Sequence, residues 1–171
     1  VTDLATHVGY MPENPHDPKY EDALVACKAI VDICKENGQN FLFETGQETP
    51  VTLKRAVQDI EKAVGKGNVG INLDPANLIM YGKANPVDAL EVFGEYVMGI
   101  HGKDGKYPTD GHHLGDEVPL GQGKVNYSAF IAKLKEIGYQ GDITIEREIS
   151  GEEQKKDIRM AKELLDKLIA E

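Results

Sequence analysis

The sequence predicts a parallel α/β fold: five consecutive βα units forming part of a (β/α)8 barrel. Three observations lead there. Short, near-continuously apolar runs alternate five times with amphipathic helical stretches, the pattern of a parallel sheet covered by helices. Each run ends in polar residues: Thr6-His7, Glu44, Asp74, His101 and Glu146. Ligands of parallel α/β proteins bind beyond the carboxyl ends of the strands, so these residues are candidates for one site. The rival arrangement, an open doubly wound sheet, spreads strand ends in a line at ~4.8 Å per strand. Only a curved ring brings four of them onto one point. A complete ring needs about 250 residues, so these 171 residues read as its C-terminal five units, strands four to eight, in one domain.

Each element has its own signal. A short strand, Leu4–His7, precedes a Pro-rich loop, Pro12–Pro18. Asp17-Pro18 is an N-cap and first-turn pair, and the helix carries Leu24, Cys27, Ile30, Val31 and Cys34 on one stripe before stopping at Asn37-Gly38. Strand Phe41–Glu44 follows. Thr49-Pro50 opens a helix whose Leu53, Ala56, Val57, Ile60, Ala63 and Val64 keep the 3.6 period until Gly65. Strand Val69–Asp74 leads into a loop through Pro75 and Tyr81-Gly82, and Asn85-Pro86 caps a short helix with Val87, Leu90 and Phe93 inward. Strand Tyr96–His101 runs into the longest irregular stretch, Gly102–Lys124. Loops beyond roughly 12–15 residues are usually functional or mobile. A helix over Asn126–Ile137 and a strand Ile143–Glu148 come next. Ser150 with Glu153 makes a capping-box pattern for the final helix, which turns Ile158, Ala161, Leu165 and Leu168 inward.

Bulk composition narrows the function classes. A net charge of −10 argues against nucleic-acid and anionic-membrane surfaces, which need clustered Lys and Arg. No apolar run approaches a membrane span and no signal peptide opens the sequence, so the expected compartment is the cytoplasm. Cys27 and Cys34 lie two helical turns apart, too far to bridge, and read as buried free thiols of a reducing compartment.

The chemistry lies in Glu44, Asp74, His101 and Glu146. Hard oxygen donors with one imidazole suit Mn²⁺, Mg²⁺ or Co²⁺, with Zn²⁺ also compatible, and no thiolate argues for a closed zinc site. Singly, each has a duller reading as a helix cap, a turn residue or a structural histidine; together, at successive strand ends, they indicate a metal site. His7 ends the first strand and is a substrate-pocket candidate. Glu48 is placed to orient Glu44 or touch substrate, with helix capping its rival role. Lys103 follows His101 and could meet a phosphate or hydroxyl. Strand alternation turns Arg147 away from Glu146. At least one of His112 and His113, in the long loop, reads as solvent-facing, and Tyr10, Tyr81 and Tyr107 read as packing residues.

With those residues placed, the chain resembles the C-terminal part of the xylose isomerase-like TIM-barrel superfamily of sugar phosphate isomerases and epimerases. The motifs are Phe41–Pro50, Asn72–Asn77, His101–Gly105, Val118–Gly123 and Ile143–Arg147. The resemblance implies a metal held by Glu44, Asp74, His101 and Glu146, polarising a substrate carbonyl. It further implies Glu44 and Glu146 as the acid/base pair that moves the proton α to that carbonyl through an enediolate. Asn77 stands where tagatose-type epimerases carry His, and Lys103-Asp104 where they carry Gly-Glu; both departures bear on the substrate. The implied activity is isomerisation or epimerisation of a small sugar or sugar phosphate. The alternatives are an inosose dehydratase-like lyase and a truncated barrel inactive alone. An endonuclease IV-like activity would need more His ligands and a basic DNA track. The absent strands imply open sheet edges, and hence self-association or union with an N-terminal part. On this reading Phe41, Phe43, Ile71 and Ile100 fill the exposed barrel interior.

Overall fold

Five parallel strands pair in the order in which they occur along the chain. The computed structural model describes all 171 residues: β1 (Asp3–Thr6), α1 (Pro18–Glu36), β2 (Asn40–Glu44), α2 (Pro50–Val64), β3 (Val69–Leu73), α3 (Pro75–Met80), α4 (Pro86–Phe93), β4 (Val97–Gly102), β5 (Asp104–Gly105), β6 (Glu117–Val118), α5 (Tyr127–Glu136), β7 (Ile143–Ile145) and α6 (Glu152–Ala170). The sheet order is β1-β2-β3-β4-β7, all parallel, with β5 and β6 forming a small antiparallel pair apart from it. Strictly sequential pairing excludes the doubly wound arrangement, whose strand order reverses at a switch point. The sheet is a half-barrel with its helices packed on one face. No helix is long and apolar enough to cross a membrane.

Alternation sorts the two faces. Phe41, Phe43, Val69, Ile71, Leu73 and Ile100 join Val31, Leu53, Val57, Leu90, Phe130 and Leu165 of the helices in one buried cluster. Phe41, Phe43, Ile71 and Ile100 therefore face the helices rather than the barrel interior, contrary to the sequence reading: Glu44 and His101 point inward, so the residues one position before them point outward. The interior side carries Leu42, Asn72 and Gly99 instead. A Cβ on Gly99 would lie 3.4 Å from Leu42 Cδ1, which places these strands' inward residues together. An irregularity in the β3–β4 register, Ile71 opposite Val97 but Asn72 opposite Gly99, absorbs Met98 as an extra residue.

Several boundaries differ from the sequence reading. The segment after Asp74 is helical, not a loop, because the Asp74 carboxylate caps it by accepting from the Asn77 N–H at 3.0 Å. The last strand ends at Ile145, although the Glu146 N–H still donates to the Gly102 carbonyl at 3.1 Å. The capping box at Ser150 does not form. Gly151, at φ +88°, is the N-cap of α6 and offers no side chain. Ile30 is 41% exposed rather than inward, since Tyr20, Cys27, Val31 and Cys34 already fill the buried stripe of α1. Tyr10 and Tyr107 are exposed, not packed.

Candidate metal centre

Four strand ends deliver four side chains to one point. Glu44 closes β2, Asp74 follows β3, His101 is the fifth residue of β4, and Glu146 follows β7. One ligand atom from each lies within 4.8 Å of all the others. His101 Nδ1 is the hub, 3.1 Å from Glu146 Oε2, 3.3 Å from Glu44 Oε1 and 3.6 Å from Asp74 Oδ2. Despite that crowding, His101 Nδ1 and Asp74 Oδ2 are buried without a hydrogen-bond partner. Buried polar atoms are satisfied in the great majority of cases. Two orphans aimed at one point, with two more carboxylates beside them, are what a divalent cation would satisfy.

The electrostatics show the strain of three carboxylates sharing a small volume. Burial pushes the Asp74 carboxyl up, against the pull of His101 and Lys103. Burial would lower His101, but the Asp74, Glu146 and Glu44 carboxylates outweigh it and push the imidazole up to about 11. Glu146 is drawn down to about 2, by His101 first and Lys103 next, against its burial. Without a cation, a proton on His101 therefore balances the site.

The candidate substrate residues fall into different roles. His7 lies beside the centre, Nε2 3.8 Å from Glu44 Oε1, with its side chain 48% exposed. A Cβ on Gly46 would come within 2.9 Å of the His7 ring, so glycine there admits the imidazole. Asn77 Nδ2 donates to the Thr45 carbonyl at 3.0 Å and to Glu44 Oε1 at 3.4 Å, steadying that carboxylate. Glu48 contacts the chain before α1 rather than Glu44. It is buried, accepts from the Met11 N–H at 3.2 Å, and thereby ties the β1–α1 loop to the β2–α2 loop; burial raises its carboxyl. Lys103 is buried, its ammonium 2.7 Å from Glu148, 3.2 Å from Glu146 and 3.7 Å from Asp74. Burial opposes that charge, yet the three carboxylates hold its pKa above the ordinary value. Arg147 points away from the site, pairing with Asp157 at 2.9 Å and Glu117 at 3.2 Å, and His112 and His113 are exposed around Asp110.

Sequence reasoning missed several supports. Thr45 Oγ1 donates to the Asp74 carbonyl and accepts from the Asp74 N–H, both at 2.8 Å, bracing β2 against β3. Asn72 reaches the far side of the His101 ring at 3.0 Å. Its position two before Asp74, on the same strand face, was the available signal. Asp104 gathers the long loop. Its carboxylate accepts from the N–H groups of Gly105, Gly121, Gly123 and Val125. Only the repeated glycines of Gly121-Gln122-Gly123 hinted at so close a backbone approach.

Comparison with known proteins agrees with this geometry. The family described as xylose isomerase-like TIM barrel matches residues 2–168. A xylose isomerase domain protein from Planctomyces limnophilus superposes with a TM-score of 0.86 at 38% identity, covering 97% of this chain and 59% of that one. A D-tagatose 3-epimerase-like protein superposes with a TM-score of 0.72 at 26% identity, covering 99% of this chain and 62% of that one. An uncharacterized protein of Methanocaldococcus jannaschii is 30% identical over 155 residues, covering 84% of this chain. The chain spans 50% of that relative's length.

Proposed function

Because the chain belongs to the xylose isomerase-like TIM-barrel family, we propose that it supplies the metal centre of an isomerase or epimerase acting on a small sugar or sugar phosphate. The observation that carries this reading is the pair of orphaned buried atoms, Asp74 Oδ2 and His101 Nδ1, facing Glu44 and Glu146 from neighbouring strands. The five units are the C-terminal five of the barrel. The free, buried Cys27 and Cys34 suit the reducing cytoplasm.

Glu44, Asp74, His101 and Glu146 would hold the ion. Their donor set suits Mn²⁺, Mg²⁺ or Co²⁺, with Zn²⁺ also compatible. When bound, it would polarise a substrate carbonyl as a Lewis acid. Glu146 and Glu44 enter from opposite ends of the cluster. One carboxylate takes the proton α to the carbonyl, the C–H electron pair moves into the carbon–carbon bond, and the carbonyl π pair moves onto oxygen. The other carboxyl, protonated at the start, returns a proton to the opposite face for epimerisation; for isomerisation the proton goes to the adjacent carbon while the hydroxyl proton passes from one oxygen to the other. Asn77 holds Glu44 in place for that exchange, and half-exposed His7 offers a ring to a sugar hydroxyl beside Glu44. Lys103, committed to Glu146, Glu148 and Asp74, sets the carboxylates' charge and position. Glu48 holds the β1–α1 loop through the Met11 N–H.

The test is turnover by the intact protein, loaded with Mn²⁺, on ketoses, their phosphates and inososes in D₂O. Proton NMR should show deuterium entering α to the carbonyl of one substrate, with an isomer or epimer accumulating. Loss of water instead would make the enzyme a dehydratase. No exchange on any of them overturns the proposal.

A further inference from the structure

His101 is gripped from both sides, and the second grip has a slot built for it. Nδ1 faces Glu44, Asp74 and Glu146, while Nε2 stands 3.0 Å from the Asn72 amide nitrogen. Asn72 is buried on β3, opposite Gly99 of β4 in the strand register. A Cβ at position 99 would fall 2.5 Å from Asn72 Oδ1. Only glycine leaves room for this amide, so the two strands are matched around it.

We infer that Asn72 is a positioning residue that selects the His101 tautomer offering Nδ1 to the cation; this rests on the metal reading above. A neutral imidazole has one bare nitrogen and one N–H. For Nδ1 to bind a cation, the proton must sit on Nε2, and a buried N–H there needs an acceptor. The amide of Asn72 is in reach, and a half-turn about its last bond puts Oδ1 where Nδ2 stands without changing its outline. A partner of this kind, behind a ligating histidine, fixes ring orientation and raises ligand basicity; its loss typically weakens metal binding ~10–100-fold.

Zn²⁺ alone is the probe, with the intact protein. Long-range ¹H–¹⁵N NMR of the Zn²⁺-loaded protein should show His101 protonated at Nε2 and bound through Nδ1. Asn72→Leu, similar in outline but without an acceptor, should weaken Zn²⁺ binding ~10–100-fold in calorimetry, with an unchanged circular dichroism spectrum. Asn72→Asp, which can only accept, should keep the Nε2–H tautomer. Zinc on Nε2, or an Asn72→Leu protein that binds Zn²⁺ as tightly as the unaltered one, overturns the inference alone. Absence of Zn²⁺ binding by the unaltered protein overturns the metal reading and this inference with it. Should Asn72→Leu fail to fold, the tautomer in the unaltered and Asn72→Asp proteins decides.

Discussion

Replacing Asp104 by Asn tests whether one buried carboxylate organises the long loop after β4. Its Oδ1 accepts from the N–H groups of Gly105 at 2.8 Å and Val125 at 3.1 Å, and its Oδ2 from Gly121 and Gly123 at 2.9 Å each. Asparagine has the same outline but only one carbonyl oxygen. It can keep two of the four donors; its NH₂ then confronts the other two donor to donor. A buried donor left unsatisfied costs ~1–3 kcal/mol, so two of them cost ~2–6 kcal/mol. For a chain of this size each kcal/mol lowers the melting temperature by ~2–4 °C, giving a fall of about 10 °C. Urea unfolding followed by circular dichroism, with linear extrapolation, measures the free energy. Amide exchange should also speed up at two of the four N–H groups. A loss below ~1 kcal/mol, less than one orphaned donor should cost, would refute the account. So would unchanged exchange at all four amides.

The remaining expectations concern the centre and the sheet edges. In the intact protein Glu146→Gln keeps an oxygen donor but cannot take a proton, so turnover should fall ~10²–10⁴-fold while calorimetry still shows metal binding; unchanged turnover removes Glu146 from the proton transfer. A cation must displace the His101 proton held up to about 11, so apparent Mn²⁺ affinity should rise with pH, approaching tenfold per unit; affinity flat between about pH 5 and 8 would exclude His101 as a ligand. In metal-free protein, the raised His101 stabilises fully below its unfolded value of 6.5, and that contribution fades as pH climbs toward about 11. The depressed Glu146 stabilises above its unfolded value of 4.5, and its contribution is lost as pH falls toward about 2. Urea midpoints should therefore peak between those two unfolded values, and a maximum near pH 9 would contradict the assignment. The isolated chain should self-associate, because every residue of β1 is exposed and its outer edge pairs with nothing; a monodisperse monomer by light scattering at micromolar concentration would rule this out.

Local pattern made the frame readable. Apolar runs bounded by Gly and Pro gave five strands and their helices, and Asp17, Asn85 and Asn126 cap their helices through side-chain bonds to the first-turn amides. Successive strand ends placed Glu44, Asp74, His101 and Glu146 at one edge before any contact was known, because period-two alternation acts within a few residues. What faces what came out less well. The apolar strand residues were read as barrel filling, yet the covering helices claim Phe41, Phe43, Ile71 and Ile100, since hydrophobicity records burial and not which side of a sheet does the burying.

The supports of the site were settled only by the tertiary fold. Lys103 stood out as the residue after a ligand-bearing strand end, and its partner Glu148, far along the chain, stands at 2.7 Å. Glu117, on β6, takes Arg147 at 3.2 Å and the Glu148 N–H at 3.0 Å, fixing the segment after Glu146. Asp104 and Asn72 gain their meaning from glycines on other segments that let backbone or amide come close. Strand ends are encoded by neighbours in sequence. The pairing of one buried charge with another depends on which segments the closed packing brings within ~3 Å, the range over which hydrogen bonds and ion pairs act, and no local periodicity carries that information.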